Sequence, residues 1–243
     1  PRPGPGPGPG PRQARRRIDG LDAGDYQLLY VAPERLMLPD FLSRLKGWNI
    51  AALAVDEAHG RCGIVTSCSD TNLDVVLDLA RHSQNVGADY IVVHSPVLHF
   101  GHDIEDTVYE YYRHLSEQLD IGIALWNHPD CGYEMSPELC ARLADIPNVV
   151  AIKYSVPRDM YTRLTQIAGD KIIVSTASEE EWFDNIVELG WRLYLCSTPP
   201  FTMQTAVDQR INEYTALAFA GKTAEAKKVR DSLNPVRAAF RAT

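Results

Sequence analysis

From residue 62 onward, short apolar runs alternate with stretches whose apolar residues recur every three to four positions. Brief Val/Ile/Leu-rich runs bounded by turn residues predict buried strands, and the three-to-four spacing predicts helices with one packed face. Strands are expected at 62–66, 90–94, 121–126, 149–153, 172–175 and 193–196. Helices are expected at 71–86, 104–119, 136–144, 158–168 and 179–189, with two closing helices at 203–220 and 223–240. Ser136 supplies an N-cap for its helix and Pro137 occupies the first helical position, where a missing N–H costs nothing. Six β/α units in succession predict a parallel α/β fold. Their repeat of roughly 25–30 residues fits a (β/α)8 barrel, the TIM type, with two units unaccounted for.

One strand carries the first chemical signal. Val149 to Ile152 is a continuous apolar run, punctuated before it by Pro147 and Asn148. Apolar residues on both faces suit a parallel strand covered on each side. Lys153 stands where that run stops, at the carboxyl end of the strand, which is where barrels of this kind do chemistry. A lysine amine normally titrates near 10.4, and an apolar setting lowers that by desolvating the ammonium. The neutral amine can then form a Schiff base with a carbonyl compound. The alternative is a lysine that only extends past the strand end into water.

Upstream of the repeat the composition changes. Residues 1–17 alternate proline and glycine and carry five arginines, a pattern expected to be a disordered, solvated tail. Residues 18–60 form a short α/β segment with apolar strands YQLLYV (26–31) and IAALAV (50–55). The expected organisation is therefore tail 1–17, foreign segment 18–60, barrel units 61–200 and C-terminal helices 201–243.

The chain has 243 residues, 45% hydrophobic and 23% charged, ordinary proportions for a globular protein. Net charge is −8 despite the arginine-rich start, and so acidic a body argues against a general nucleic-acid surface. No apolar run approaches the ~20 residues of a membrane helix. The first residues contain no apolar leader core, so a cytoplasmic protein is expected. Cys62, Cys68, Cys131, Cys140 and Cys196 form no CxxC pair, giving neither a zinc ribbon nor a disulfide framework. His99 and His102 lack a third ligand at metal-site spacing and read as a solvated loop. No GxGxxG follows a strand, so no dinucleotide cofactor is expected, and no metal. Tyr109, Tyr111 and Tyr112 on one helix read as packing residues.

Two resemblances follow from longer stretches. LLYVAPERL with LAVDEAH resembles the Walker B region of RecQ-type DNA helicases, which would give Asp56 a magnesium-holding role. No G-x-x-x-x-G-K-[ST] loop precedes it, so nothing cradles the phosphates of ATP. A truncated piece of such a helicase, or a non-catalytic fusion remnant, is the alternative reading of the chain.

Residues 64–240 resemble the dihydrodipicolinate synthase and N-acetylneuraminate lyase family of class I aldolases. The likeness is carried by IVTSCSDTN, HSQNVGADYIVVHSP, LWNHP at 125–129, IPNVVAIKYS at 146–155 and the tail LAFAGKTAEAKKVRDSL, in the family's order. The resemblance implies a lyase that needs no cofactor, in which Lys153 condenses with an α-keto acid such as pyruvate and an aldehyde is the second substrate. It puts Trp126, Asn127, His128, Tyr154 and Thr66 at the substrate pocket. The terminal helices, by the same likeness, pack on the barrel or form a homo-oligomer contact.

This chain departs from the pattern in three places. Trp126 stands where the family has its proton-relay tyrosine, and an indole has no proton to relay. Tyr154, His128 or His94 could take that role. Asp130, Cys131 and Gly132 replace the arginine that binds a second carboxylate, which favours an apolar or aromatic aldehyde. The first two barrel units, with the carboxylate-binding Gly-Thr-Thr-Gly-Glu loop, are missing, and impaired catalysis is expected from that loss.

Overall fold

A computed structural model describes residues 63–96, 103–128, 133–195, 204–205 and 207–241. The chain divides after Cys62 into two units, of which the second, Gly63–Thr243, contains every described residue. The Pro/Gly/Arg tail, both helicase-like strands, Asp56 and Glu57 lie outside the described residues. So do His99, His102, Asp130, Cys131 and Gly132.

Five parallel strands form one sheet in sequential order: β1 (Val65–Ser67), β2 (Tyr90–His94), β3 (Gly122–Asn127), β4 (Val149–Tyr154) and β5 (Ile173–Ser175). Between them run α1 (Leu73–Asn85), α2 (Ile104–Gln118), α3 (Pro137–Leu143) and α4 (Arg158–Ala168), and α5 (Glu179–Leu189) follows β5. Strictly consecutive parallel strands with crossover helices are the winding of a (β/α)8 barrel, here present in part. The chain closes with α6 (Arg210–Phe219), α7 (Thr223–Asp231) and α8 (Asn234–Arg241).

The predicted Ser136 cap forms, and other helix ends are closed locally as well. Ser136 accepts the amide of Leu139 with Pro137 in the first turn, and Asn72 accepts the amide of Asp74. Gly190 ends α5 at φ +68°, a left-handed position that costs a residue with a Cβ, while its N–H reaches back to the helix carbonyls. The helices bury the stripes their spacing marks, Val76 and Ala80 on α1, Val108, Tyr112 and Leu115 on α2, Tyr161, Leu164 and Ala168 on α4.

One face of the sheet carries these helices. Ile91, Val93, Ile123, Leu125 and Ile152 point there and are fully buried. The other face is only partly covered. Val65 is 40% and Ile173 50% exposed at its two flanks. The expectation that β4 is buried on both sides therefore holds for Ala151 and Ile152 but not for Val150, which is exposed.

Val150 has a reason to stand out. Ile123 pairs with Val149, yet the next residue, Ala124, pairs with Ala151. Val150 is thus the extra residue of a β-bulge. Side chains alternate along a strand, so one added residue reverses which of the following ones face the helices. Beyond the bulge Leu125 sits beside Ile152, and Trp126 beside Lys153. Straight pairing would have put Ile152 next to Trp126. The bulge fits because position 122 is glycine, where an added Cβ would come within 3.1 Å of Val150.

Three predicted elements differ. Leu193, Tyr194 and Leu195 are not a strand. Leu195 donates its amide to the Ser175 hydroxyl at 2.8 Å and Tyr194 donates its hydroxyl to the Ala177 carbonyl, so side chains, not a backbone ladder, fasten this segment near β5. The helix expected from 203 begins at Arg210. Thr205 and Asp208 side chains accept nearby amides and hold the preceding residues in turns. The last helix is two, because Pro235 lacks the N–H that a continuous helix needs.

These closing helices are tied to α5 by a buried cluster. Glu179 accepts from Arg237 at 2.7 and 2.8 Å and from the Tyr214 hydroxyl at 2.7 Å. Arg237 also donates to the carbonyl of Arg230 and to Asn234. Burial, then the Glu179 charge, pushes the Tyr214 phenol upward, so it remains a donor.

Candidate active site

The register lines up four residues at the carboxyl ends of the strands. His94 pairs with Trp126, Trp126 with Lys153, and Lys153 with Ser175. Partners in parallel register share a face, so all four project from the side away from the helices.

Lys153 is partly buried, and its Nζ lies 5.0 Å from the centre of the Trp126 ring. At that distance the indole face attracts an ammonium. His94 meets the same indole edge-on, with ring centres 4.0 Å apart and planes at 83°. Its backbone N–H donates a hydrogen bond to the Ser69 hydroxyl at 3.0 Å. His128 sits further along the chain, its ring 6.0 Å from that of Trp126.

Two ring nitrogens in this row, His94 Nε2 and Trp126 Nε1, are buried without a hydrogen-bond partner. Buried polar atoms are nearly always satisfied, so such atoms call for an account. Burial lowers the His94 pKa, and the neighbouring charges of His128 and Lys153 lower it further. The imidazole is therefore neutral near neutral pH.

The other pocket residues expected from the sequence are not brought together with Lys153. Asn127 and Tyr154 pair with each other one step beyond, and alternation turns both to the helix-covered face. Asn127 accepts the amide of Met135 at 2.9 Å, and Tyr154 donates to the carbonyl of the same residue at 2.5 Å. Both are fully buried. Burial and the adjacent Cys140 push the Tyr154 phenol upward, and burial pushes the Cys140 thiol up to about 12. Thr66 pairs with Ile91 and so also faces the helices, with its hydroxyl 3.9 Å from the Cys68 sulfur. Trp126 and His128 remain on the side of Lys153.

Ser175 is the member of the row that sequence reasoning missed. Its hydroxyl accepts from Leu195 and leans toward the Thr176 carbonyl. Counting two residues past Ile173 on the β5 strand could have found it. Among the described residues no three His, Cys, Asp or Glu side chains are arranged to hold a metal ion. No described helix is long and apolar enough to cross a membrane.

A sequentially wound parallel sheet with a lysine at the carboxyl end of a central strand defines the class, an α/β barrel with its site at the strand ends. The chain belongs to the dihydrodipicolinate synthetase family, whose profile matches residues 40–243. It is 30% identical over 106 residues to a 4-hydroxy-tetrahydrodipicolinate synthase of Hyphomonas neptunium, covering 43% of this chain and 36% of that protein. The fold superposes on the dihydrodipicolinate synthase of Aquifex aeolicus with a TM-score of 0.67 at 22% identity, over 77% of this chain and 62% of that one. It matches a prophage protein of the same family from E. coli K12, in complex with pyruvate, with a TM-score of 0.68 at 21% identity, over 79% and 64% of the two chains. The chain spans from 36% to 65% of the length of the curated relatives it matches.

Proposed function

We propose that this protein is a Schiff-base-forming lyase in which Lys153 condenses with an α-keto acid such as pyruvate. The observation that carries the reading is the placement of Lys153. In a chain of this family, an amine at the end of β4 is set against an indole face, and a neutral imidazole contacts the same indole. The amine attacks the keto carbon and water leaves. The resulting iminium then withdraws electrons from the neighbouring carbon, which can be deprotonated and add to an aldehyde, or the cleavage can run in reverse. The relative from E. coli K12, in complex with pyruvate, supports the choice of keto acid.

The second substrate in this reading is an apolar or aromatic aldehyde. Trp126 offers a flat apolar wall beside the amine, and no arginine follows the LWNHP run. The test is reductive trapping. Incubation of the full chain with pyruvate and sodium borohydride is expected to leave a covalent adduct on Lys153, located by peptide mass spectrometry. An unmodified Lys153 overturns the reading.

A further inference from the structure

We propose that His94 removes and returns the proton at the carbon adjacent to the Lys153 imine, the relay role that Trp126 cannot perform. This rests on the Schiff-base reading above and assigns its proton-transfer step.

The geometry narrows the field to one group. Trp126 occupies the place between His94 and Lys153 and can only donate its indole N–H. Tyr154 faces the helices, and its hydroxyl is committed to the Met135 carbonyl. The Ser175 hydroxyl is engaged by the Leu195 amide. His128 lies farther from the indole that Lys153 touches, its ring centre 6.0 Å away against 4.0 Å for His94. Among the described residues, His94 alone combines the Lys153 face, a ring locked against Trp126, and a buried Nε2 that none of them engages.

An unpaired buried nitrogen costs stability, and a substrate proton at that spot removes the cost during the reaction. The groups around His94 are His128 and Lys153, and both, together with burial, favour its neutral form. With hydrogen on Nδ1, the Nε2 lone pair is free to act as a base. The reacting carbon of a pyruvate imine is two bonds beyond Lys153 Nζ, and Lys153 and His94 both contact the Trp126 indole.

The step balances without another reagent. His94 Nε2 takes a proton from the methyl carbon of the iminium. The C–H electron pair becomes the enamine double bond, and the iminium nitrogen receives the former C=N pair. Return of the proton, or of a deuteron, restores the iminium, and hydrolysis frees the keto acid.

Exchange of the pyruvate methyl hydrogens in D2O, followed by proton NMR on the full chain, reads this step apart from imine formation. His94→Gln is expected to keep the borohydride-trapped adduct on Lys153 and to slow exchange by about 100-fold or more. His94→Ala is expected to regain exchange when imidazole is added, which a residue needed only for packing does not do. Exchange in His94→Gln within about twofold of the parent overturns the proposal. So does exchange that survives in His94→Gln and disappears in His128→Gln. Joint loss of adduct and exchange, with no rescue of His94→Ala by imidazole, assigns His94 a structural role and also overturns it. Absence of an adduct in the unaltered chain removes the Lys153 reading first, and this inference with it.

Discussion

Where α5 meets the last helices, both oxygens of Glu179 are engaged, by Arg237 and Tyr214, in a buried cluster. At the strand ends, the ring nitrogens of His94 and Trp126 are just as buried and have no hydrogen-bond partner. The first arrangement is what holding a fold together requires, since a lone buried charge is costly and a paired one is tolerable. The second costs stability and gives nothing back until a ligand arrives. Pairing, more than polarity or burial, separates the Glu179 clasp from the His94–Trp126 pair.

The comparison is broken most directly at Lys153. Lys153→Ala is expected to abolish the trapped pyruvate adduct altogether while leaving the urea unfolding midpoint close to that of the parent, since the side chain is only partly buried. Arg237→Ala acts the other way. It strands the Glu179 carboxylate, and urea unfolding is expected to register a loss of about 3–5 kcal/mol. An adduct should still form in the fraction that remains folded. Tyr154→Phe sits between the two, one residue from Lys153 but on the opposite face. It deprives the Met135 carbonyl of its donor, for an expected loss of about 1–2 kcal/mol with adduct formation retained.

Acid sharpens the contrast. The fold holds the His94 pKa below the ~6.5 of an unfolded histidine, so the unfolded chain takes up its proton first as pH falls. Stability from this residue is full above that unfolded value and is lost as pH drops through the lowered one. Urea midpoints measured from about pH 7 down to 5 should therefore fall less steeply in His94→Gln than in the parent. The smallest effect is expected at the Lys171–Asp145 pair, whose side chains are 47% and 59% exposed. Lys171→Ala should leave the midpoint unchanged within error.

Much of this architecture was legible in the chain. The helices at 158–168 and 179–189 start and stop where their spacing places them, because amphipathic stripes are local signals. The strand ending in Lys153 was equally plain, a run of Val, Ala and Ile too short to be anything else. The misses share a cause, which is information held by a neighbour. Leu193–Leu195 has the composition of a strand, yet Ser175 takes its amide through a side chain. Ser232 and Leu233 interrupt a stretch with good helix formers because Pro235 vetoes continuity three residues on. The family resemblance puts Asn127 and Tyr154 at the pocket, yet neighbours along a strand face opposite ways and these two turn to the helices. The row through His94 was not readable, since it depends on register across four strands and on a bulge.

That bulge has a consequence for how freely this region can vary in length. Val150 sets the phase of everything after it, so gaining or losing a single residue between Asn148 and Ile152 would leave an equally greasy segment yet rotate the amine toward the helices. Substitutions there are cheap by comparison with indels. A library of point changes at Val150 should stay reactive toward pyruvate, while a one-residue deletion at the same spot silences the protein with hardly any change in hydrophobicity.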